Sequence, residues 1–218
     1  MTPQALAAEI DVEIRGLAPA TTDAIRNVRK RYSQRIKGEP AAFVLALALT
    51  LQRRHGRRWV GYELVRHHRA AFAEAAGRIE AFAEGLDSWD TVDAFGRILS
   101  GPAWLRGWIA DDLIAAWAAS PDRWLRRAAL VSTVALNAKT DGGPGDAVRT
   151  LAICRALAAD RDDMVEKALS WALRELLLRD EAAVVRFLED HDAVLPARAK
   201  REVRHKLETG LKSPRRIK

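Results

Sequence analysis

The sequence has few of the residues that build disulfide frameworks and membrane spans. Its single cysteine, Cys154, excludes an internal disulfide and a thiolate zinc cluster. No stretch approaches the roughly 20 apolar residues that a membrane-spanning helix needs. Residues 1–16 have neither the basic nor the apolar region of a signal peptide. We therefore expect a cytoplasmic protein with no membrane partner.

Strand signals and cofactor signatures are equally scarce. No sustained alternation of β-branched residues occurs, and no Asn-Gly or Asp-Gly turn joins two such runs. His67 and His68 are adjacent in sequence, so they point to different sides of a helix and do not have metal-site spacing. The glycines in residues 142–145 have no Lys-Ser/Thr after them and no strand before them, which indicates a loop and not a phosphate-binding turn. The pattern gives no sign of a metal or dinucleotide cofactor.

What the sequence does contain is helical periodicity along its whole length. The chain has 218 residues, of which 49% are hydrophobic and 30% charged, which suits one soluble domain over residues 1–218. Residues 38–40, 101–102 and 140–145 carry the Gly and Pro that mark breaks. The apolar spacing predicts helices over residues 3–16, 21–36, 40–55, 58–71, 73–84, 88–99, 103–107, 109–119, 121–138, 144–159, 162–178, 180–190 and 194–209.

Short helices joined by short turns can pack as a bundle or stack as helical pairs. The spacing of about 40 residues per pair favours an all-α solenoid of HEAT-like helical pairs, although no crisp repeat consensus is present. A bundle remains the alternative. A solenoid would offer one continuous concave face to a long ligand.

The net charge of +7 is unevenly distributed. Between Arg26 and Lys37 there are six basic residues and no acidic one, and between Arg198 and Lys218 there are nine basic residues against two acidic ones. Such polarity is typical of a surface that binds a polyanion. The alternative is that both segments are simply solvated.

The helix over residues 162–178 carries an aromatic residue away from its apolar stripe. Trp171 lies on the opposite face, beside Lys167 and Arg174 at spacings of four and three residues. A tryptophan flanked by two cations could stack on a sugar or a base while the cations meet phosphates. Alternatively, Trp171 packs against the next helix of the stack.

Two further helices place charged residues near tryptophans. Trp89 and Asp93 are four residues apart on one flank, so the carboxylate could stabilise a developing cation and orient water. The alternative is that Asp93 pairs with Arg97 and Trp89 is a hydrophobic lid. Arg127 lies at the edge of a nearly all-apolar helix, where a guanidinium needs either a carboxylate such as Asp93 or a phosphate as its partner.

Taken together, these stretches resemble the bacterial DNA alkylation-repair family, the AlkD-type HEAT-repeat DNA glycosylases. The likeness covers roughly residues 30–212 and leaves a basic tail at residues 210–218. It is carried by Trp89–Asp93 (WDTVD), Arg123–Ala129 (RWLRRAA), Lys167–Glu175 (KALSWALRE), and the ending from Lys200–Val203 (KREV) through Lys206–Lys212 (KLETGLK).

The resemblance implies a C-shaped stack of helical pairs around double-stranded DNA, acting as a monomer. It also implies hydrolysis of the N-glycosidic bond of cationic alkylpurines such as N3-methyladenine and N7-methylguanine, without metal or organic cofactor. Matched to the family, Trp89, Asp93 and Trp171 would be catalytic. The residues expected to bind DNA, mainly through its phosphates and with little sequence specificity, are Arg127, Lys167, Arg174, Arg126, Lys206 and Lys212.

One region departs from the family pattern. Active members carry a Phe-Leu-Gly-Ile-Lys-Thr-Pro-like segment near the N-terminus, whereas residues 28–43 here read VRKRYSQRIKGEPAAF. Two alternatives to a glycosylase therefore stay open. The first is a catalytically silent DNA-binding member of the same family. The second is a protein scaffold, which predicts that the basic residues do not line one groove.

Overall fold

The computed structural model describes residues 1–211, and every regular element in that range is helical, which confirms the all-α prediction. Lys212, expected to bind DNA, lies outside the described residues. The helices are α1 Pro3–Arg15, α2 Thr22–Arg35, α3 Ala41–His55, α4 Arg58–Arg66, α5 Arg69–Ala76, α6 Ile79–Ala83, α7 Trp89–Phe95, a π-helical segment Gly96–Ser100, α8 Gly101–Leu105, α9 Asp111–Ala118, α10 Arg123–Asn137, a 3-10 turn Lys139–Asp141, α11 Ala147–Ala156, α12 Asp163–Leu177, α13 Glu181–Asp190 and α14 Ala197–Thr209.

The helices stack in chain order as a solenoid of two layers. In the layer that we call inner, α2 packs on α4, α4 on α7, α7 on α10, α10 on α12 and α12 on α14. The outer layer includes α1, α3, α5, α8, α9, α11 and α13, which pack on one another or on the inner helices. Each helix makes its main contacts with near neighbours in sequence, as expected when a long apolar core is buried by stacking and not by one central cluster.

The inner helices α10 and α12 form the middle of the core. Every residue from Arg127 to Asn137 is buried, in line with the nearly all-apolar sequence of α10. On α12 the predicted apolar stripe is buried throughout, which leaves Trp171 and Lys167 at its edge. Each helix begins at an aspartate whose side chain accepts a backbone N–H: Asp122 from Trp124 at 2.8 Å and Asp162 from Met164 at 2.9 Å.

Two predicted boundaries are wrong. The helix expected over residues 58–71 ends at Arg66, because His68 caps a new helix by accepting the Ala71 N–H on Nδ1 at 3.1 Å. The segment expected over residues 73–84 is accordingly divided between α5 and α6. No helix among residues 1–211 is long and apolar enough to cross a membrane.

The break expected at Gly101–Pro102 is also wrong, because the chain continues helically from α7 through the π-helical segment into α8. Gly101 serves close packing here. A Cβ at that position would lie 2.6 Å from the carbonyl oxygen of Ser132 on α10. Pro102 is the second residue of α8, which directly follows the π-helical segment, where the Gly101 N–H bonds to the carbonyl oxygen of Gly96. This continuous helical segment therefore holds α7, and with it Trp89 and Asp93, against α10.

Candidate active site

A cleft of about 840 Å³ opens on the inner layer between α7, α10, α12 and α14. It brings together seven of the nine residues predicted from the sequence and adds several others. Its lining consists of Trp89, Asp93, Arg127, Met164, Lys167, Trp171, Arg174, Glu175, Leu178, Arg198, Arg201, Glu202 and Lys206. Six of these side chains are cationic, three are acidic and two are indoles, so the cleft combines positive charge with exposed aromatic surface.

The carboxylate of α7 that lines the cleft is Asp93, and it forms an ion pair with Arg127 on α10. Arg127 donates from Nε to Oδ1 and from Nη2 to Oδ2, both at 2.9 Å. The arginine side chain is only 6% exposed, whereas the aspartate is 20% exposed and reaches the cleft. A bidentate pair of this kind holds the carboxylate in one orientation. Arg127 also donates from Nη1 to the carbonyl oxygen of Met164, which ties α10 to the start of α12.

Burial and the ion pair have opposite effects on Asp93. Burial raises the pKa of the Asp93 carboxyl above its ordinary value, and the nearby charge of Asp90 adds to that rise. The hydrogen bonds and positive charge of Arg127 act in the other direction and favour the carboxylate. The result is a carboxylate that carries its charge in a partly desolvated place, where its electrostatic effect on a neighbouring cation is stronger than in water.

Two tryptophans line the cleft with Asp93. Trp89 is the first residue of α7 and is 58% exposed, which is unusual for so large an apolar side chain. Trp171 is half-buried, packing against the core on one side and lining the cleft on the other. Trp171 therefore packs against its neighbours, as one interpretation predicted, and still presents a surface to the cleft, while its stacking on a sugar or base stays a prediction. Indole faces in such a cleft can attract a cation or stack on a planar group.

Arg174 also reaches the cleft, but its guanidinium is largely buried. Nη1 donates to Glu202 on α14 at 3.2 Å, and Glu202 also accepts from the Ser170 hydroxyl at 2.7 Å. Burial lowers the pKa of Arg174, while the charges of Glu202 and Glu175 raise it. Arg174 therefore joins α12 to α14 as well as adding positive charge to the cleft wall.

The lysines in the cleft are more accessible. Lys167 pairs with Asp163 at 2.6 Å and its side chain is 45% exposed. Lys206 donates to the carbonyl oxygen of Gly210 at 2.7 Å, a contact that caps the end of α14. An exposed ammonium exchanges such a partner for a phosphate at small cost, because surface ion pairs contribute little.

Two expectations about neighbouring arginines do not match the geometry. Arg97 does not pair with Asp93; its guanidinium lies 2.9 Å from the carboxylate of Asp141, in the 3-10 turn that follows α10. Arg126 lies outside the lining of the cleft. It is held by Asp160 at 2.7 Å and by the carbonyl oxygens of Ser120 and Pro121.

The sequence-based site set omitted three charged residues of α14, namely Arg198, Arg201 and Glu202. They recur with Lys206 at intervals of three and four residues, so a helical-wheel pattern could have placed them on one face. The sequence pattern does not show, however, that this face of α14 packs toward α12. Among residues 1–211 no group of three or more His, Cys, Asp or Glu could hold a metal ion.

Comparison with known proteins gives one finding about this chain. A family model described as DNA alkylation repair enzyme matches residues 12–207, which is most of its length. No curated protein and no solved structure matches it significantly.

Proposed function

Because the chain belongs to the DNA alkylation repair enzyme family, we propose that it is a DNA glycosylase for cationic alkylated purines such as N3-methyladenine and N7-methylguanine. The observation that carries the proposal is the Asp93 carboxylate, fixed by buried Arg127 in a cation-lined cleft that also contains Trp89 and Trp171. In this proposal Asp93, Trp89 and Trp171 are catalytic, and duplex DNA is the substrate.

The reaction is hydrolysis at the C1′ carbon of the deoxyribose. The N-glycosidic bond breaks, and its electron pair goes to the alkylpurine, which leaves as a neutral base because it was already cationic. Water forms the new C1′–O bond and gives up a proton to Asp93 or to solvent. Positive charge develops on the sugar as the bond breaks, as in other glycosidic cleavages. Asp93 stabilises that charge electrostatically, and the indoles of Trp89 and Trp171 attract it.

The cations of the cleft would bind the DNA backbone. Lys167, Arg174 and Arg127 line the same cleft as Arg198 and Lys206 of the C-terminal basic segment. If the chain were a scaffold for another protein, these residues would be scattered over different faces. Their common location therefore favours DNA as the binding partner. Contacts of this kind with phosphates attract any duplex without reading its sequence.

A second candidate is a catalytically silent DNA-binding protein of the same family. A repeated feature of the inner layer favours it: buried arginines pair with carboxylates between α2 and α4, between α7 and α10, and between α12 and α14. The Asp93–Arg127 pair is one member of that series, and Arg127 engages both carboxylate oxygens. In this alternative Asp93 is an architectural residue and the tryptophans are a recognition surface.

The test is release of free base from duplex DNA that contains N7-methylguanine. Asp93→Asn should slow release by roughly 100-fold or more, the size of effect that acid–base groups have, while binding of the duplex changes little. Asp90→Asn is the matched control. It makes the same substitution at an exposed residue of α7 that does not line the cleft. Thermal unfolding of each variant checks that Arg127, left without its counter-charge, has not unfolded the protein.

Three outcomes separate the candidates. Base release by the wild type that Asp93→Asn abolishes and Asp90→Asn retains supports the glycosylase. An equal loss of release and of DNA binding in a folded Asp93→Asn protein makes Asp93 architectural. No release by a wild type that binds DNA contradicts the glycosylase and supports the silent DNA-binding protein.

A further inference from the structure

A cluster of arginines and aromatic rings lies outside the cleft, where the end of α4, α5 and the loop after α8 come together. We call it the arginine–aromatic cluster, and it consists of Arg66, Phe72, Arg106 and Trp108. Phe72 is its buried centre, at 3% exposure, and Trp108 is its exposed edge, at 42%. The two rings meet edge to face with their centroids 5.1 Å apart. None of the four residues lines the cleft.

Both guanidiniums are held against these rings. The guanidinium carbon of Arg66 lies 4.6 Å from the centre of the Phe72 ring. That of Arg106 lies 5.4 Å from the Phe72 ring and 5.7 Å from the Trp108 ring. Nη1 of Arg106 also donates to the carbonyl oxygen of Pro102 at 2.8 Å. The cation–π contacts and this hydrogen bond restrict both side chains, so the positive groups are oriented before any partner binds.

The positive charge of the cluster is not neutralised by the protein's own carboxylates. Neither Arg66 nor Arg106 forms an ion pair with a carboxylate within residues 1–211, and residues 212–218 contain no Asp or Glu. Burial lowers the pKa of Arg66, and the charge of Arg106 lowers it further. The charge of Asp141 acts in the other direction, but that carboxylate pairs with Arg97. A half-buried guanidinium beside a second cation is unfavourable unless an anion joins them, so the cluster lacks an anionic partner.

The composition of the cluster suits a protein partner. Arginine and the aromatic residues are enriched in protein interfaces, and tryptophan and arginine account for much of the binding energy there. The planar fork of each guanidinium matches a carboxylate through two parallel hydrogen bonds. Single-stranded nucleic acid fits less well. It stacks successive bases on a series of exposed rings, whereas in this cluster Trp108 is exposed and Phe72 is buried.

We propose that the arginine–aromatic cluster is a docking site for an acidic peptide segment of a partner protein, in which carboxylates flank an apolar residue. The carboxylates pair with Arg66 and Arg106, and the apolar side chain packs on the indole of Trp108. Because α5 and α8 belong to the outer layer and the cleft opens on the inner layer, the docking site is separate from the surface proposed to bind DNA. The inference does not rest on the proposed function.

The experiment measures binding of a fluorescein-labelled peptide, Gly-Asp-Glu-Asp-Phe-Asp-Glu-Gly, by fluorescence polarisation. The wild type is compared with Arg66→Gln/Arg106→Gln and with Arg155→Gln/Arg186→Gln, which removes the same charge from exposed residues of the outer helices α11 and α13. Loss of two ion pairs should weaken binding roughly 10-fold in the first double variant. The second should bind like the wild type. A peptide with Asn and Gln in place of Asp and Glu should not bind, and one with Ser in place of Phe should bind more weakly.

Thermal unfolding checks that each double variant is folded. If Arg66→Gln/Arg106→Gln is unfolded, Arg106→Gln alone replaces it, because Arg106 is exposed, and it should weaken binding roughly threefold. Equal affinities of the two double variants, or no binding of the acidic peptide by the wild type, would overturn the proposal. So would a 10-nucleotide single strand of DNA that displaces the peptide and itself depends on Arg66 and Arg106, since the cluster would then bind nucleic acid. Base release enters none of these outcomes, so this inference and the proposed function fail separately.

Discussion

The cleft and the basic groove lie on the same layer of helices, and both are lined by cations, yet only the cleft has the groups for chemistry. The basic groove, formed by α2, the residues that follow it and the end of α4, is lined by Arg29, Lys30, Arg31, Ser33, Gln34, Lys37 and His67. The cleft adds two tryptophans and three carboxylates to its cations. Cations alone attract the backbone of any duplex. The proposed cleavage at one nucleotide also uses a fixed negative charge and indole faces, and of these two surfaces the cleft alone has both.

The comparison also separates architecture from function. Arg29–Glu63 beside the groove and Asp93–Arg127 in the cleft are both buried pairs between neighbouring inner helices, so an ion pair does not by itself mark an active site. The cleft pair differs in its surroundings. Its carboxylate is partly exposed to a cavity lined by Trp89 and Trp171, whereas Glu63 does not line the groove.

The largest effect should come from removing the cation that holds Asp93. Arg127→Gln leaves a partly buried carboxylate without its partner, which should lower the free energy of unfolding by about 3 kcal/mol and abolish base release. Arg97→Gln breaks the pair with Asp141 one helical turn after Asp93. It should lower the free energy of unfolding by about 1 kcal/mol and retain base release. Urea unfolding and single-turnover excision measure the two effects. If Arg97→Gln abolished release as well, the distinction between the cleft pair and other ion pairs would be lost.

An intermediate effect is expected from the tryptophans. Trp89→Ala and Trp171→Ala should each slow base release by roughly 3- to 30-fold, the range that a cation–π contact of about 0.5–2 kcal/mol implies. Trp108→Ala is the matched control, because Trp108 is also exposed, at 42%, but packs against Phe72 outside the cleft. Excision rates at saturating protein are the measurement. A loss with Trp108→Ala as large as with Trp89→Ala would mean that the indoles act through folding alone.

The smallest effect concerns how the stability of the fold depends on pH. It contrasts Asp93 with Asp11, a carboxylate on α1 at the N-terminal end of the chain. Burial favours a higher pKa for Asp11, but the hydrogen bond and charge of Arg57, the charge of Arg15 and a hydrogen bond from His55 hold its pKa below the ordinary value. A depressed pKa stabilises the fold above the unfolded-state value near 3.8, and this contribution disappears as pH falls through the folded-state value. Asp93, with a raised pKa, makes no such contribution.

Asp11→Asn should therefore lower the melting temperature at pH 7 by roughly 2–6 °C. The difference from wild type should shrink as the pH falls from about 3.8, where Asp11 of the unfolded chain becomes protonated, to below the lower pKa of folded Asp11. Thermal unfolding at pH 7 and at successively lower pH checks this. A difference that stays constant with pH would mean that packing, and not charge, is what Asp11 contributes.

The sequence predicted much of the fold because helical periodicity is a local property. The apolar stripe of α12 and the all-apolar character of α10 follow from residue order and both are buried as expected. The errors occurred where a tertiary contact overrides a local signal. Gly101 and Pro102 read as a break, yet the glycine lets two helices approach closely and the chain stays helical.

For the site, the sequence by itself determined which residue types could act and on which helix faces they lie: Trp89 with Asp93, and Lys167 with Trp171. Only the tertiary structure decided which side chains form ion pairs. Asp93 pairs with Arg127 and not with Arg97, and Arg126 pairs with Asp160 outside the cleft. It also brought α14 against α12. A helical wheel fixes angles within one helix, whereas ion pairs and cleft walls depend on distances between helices, which packing alone sets.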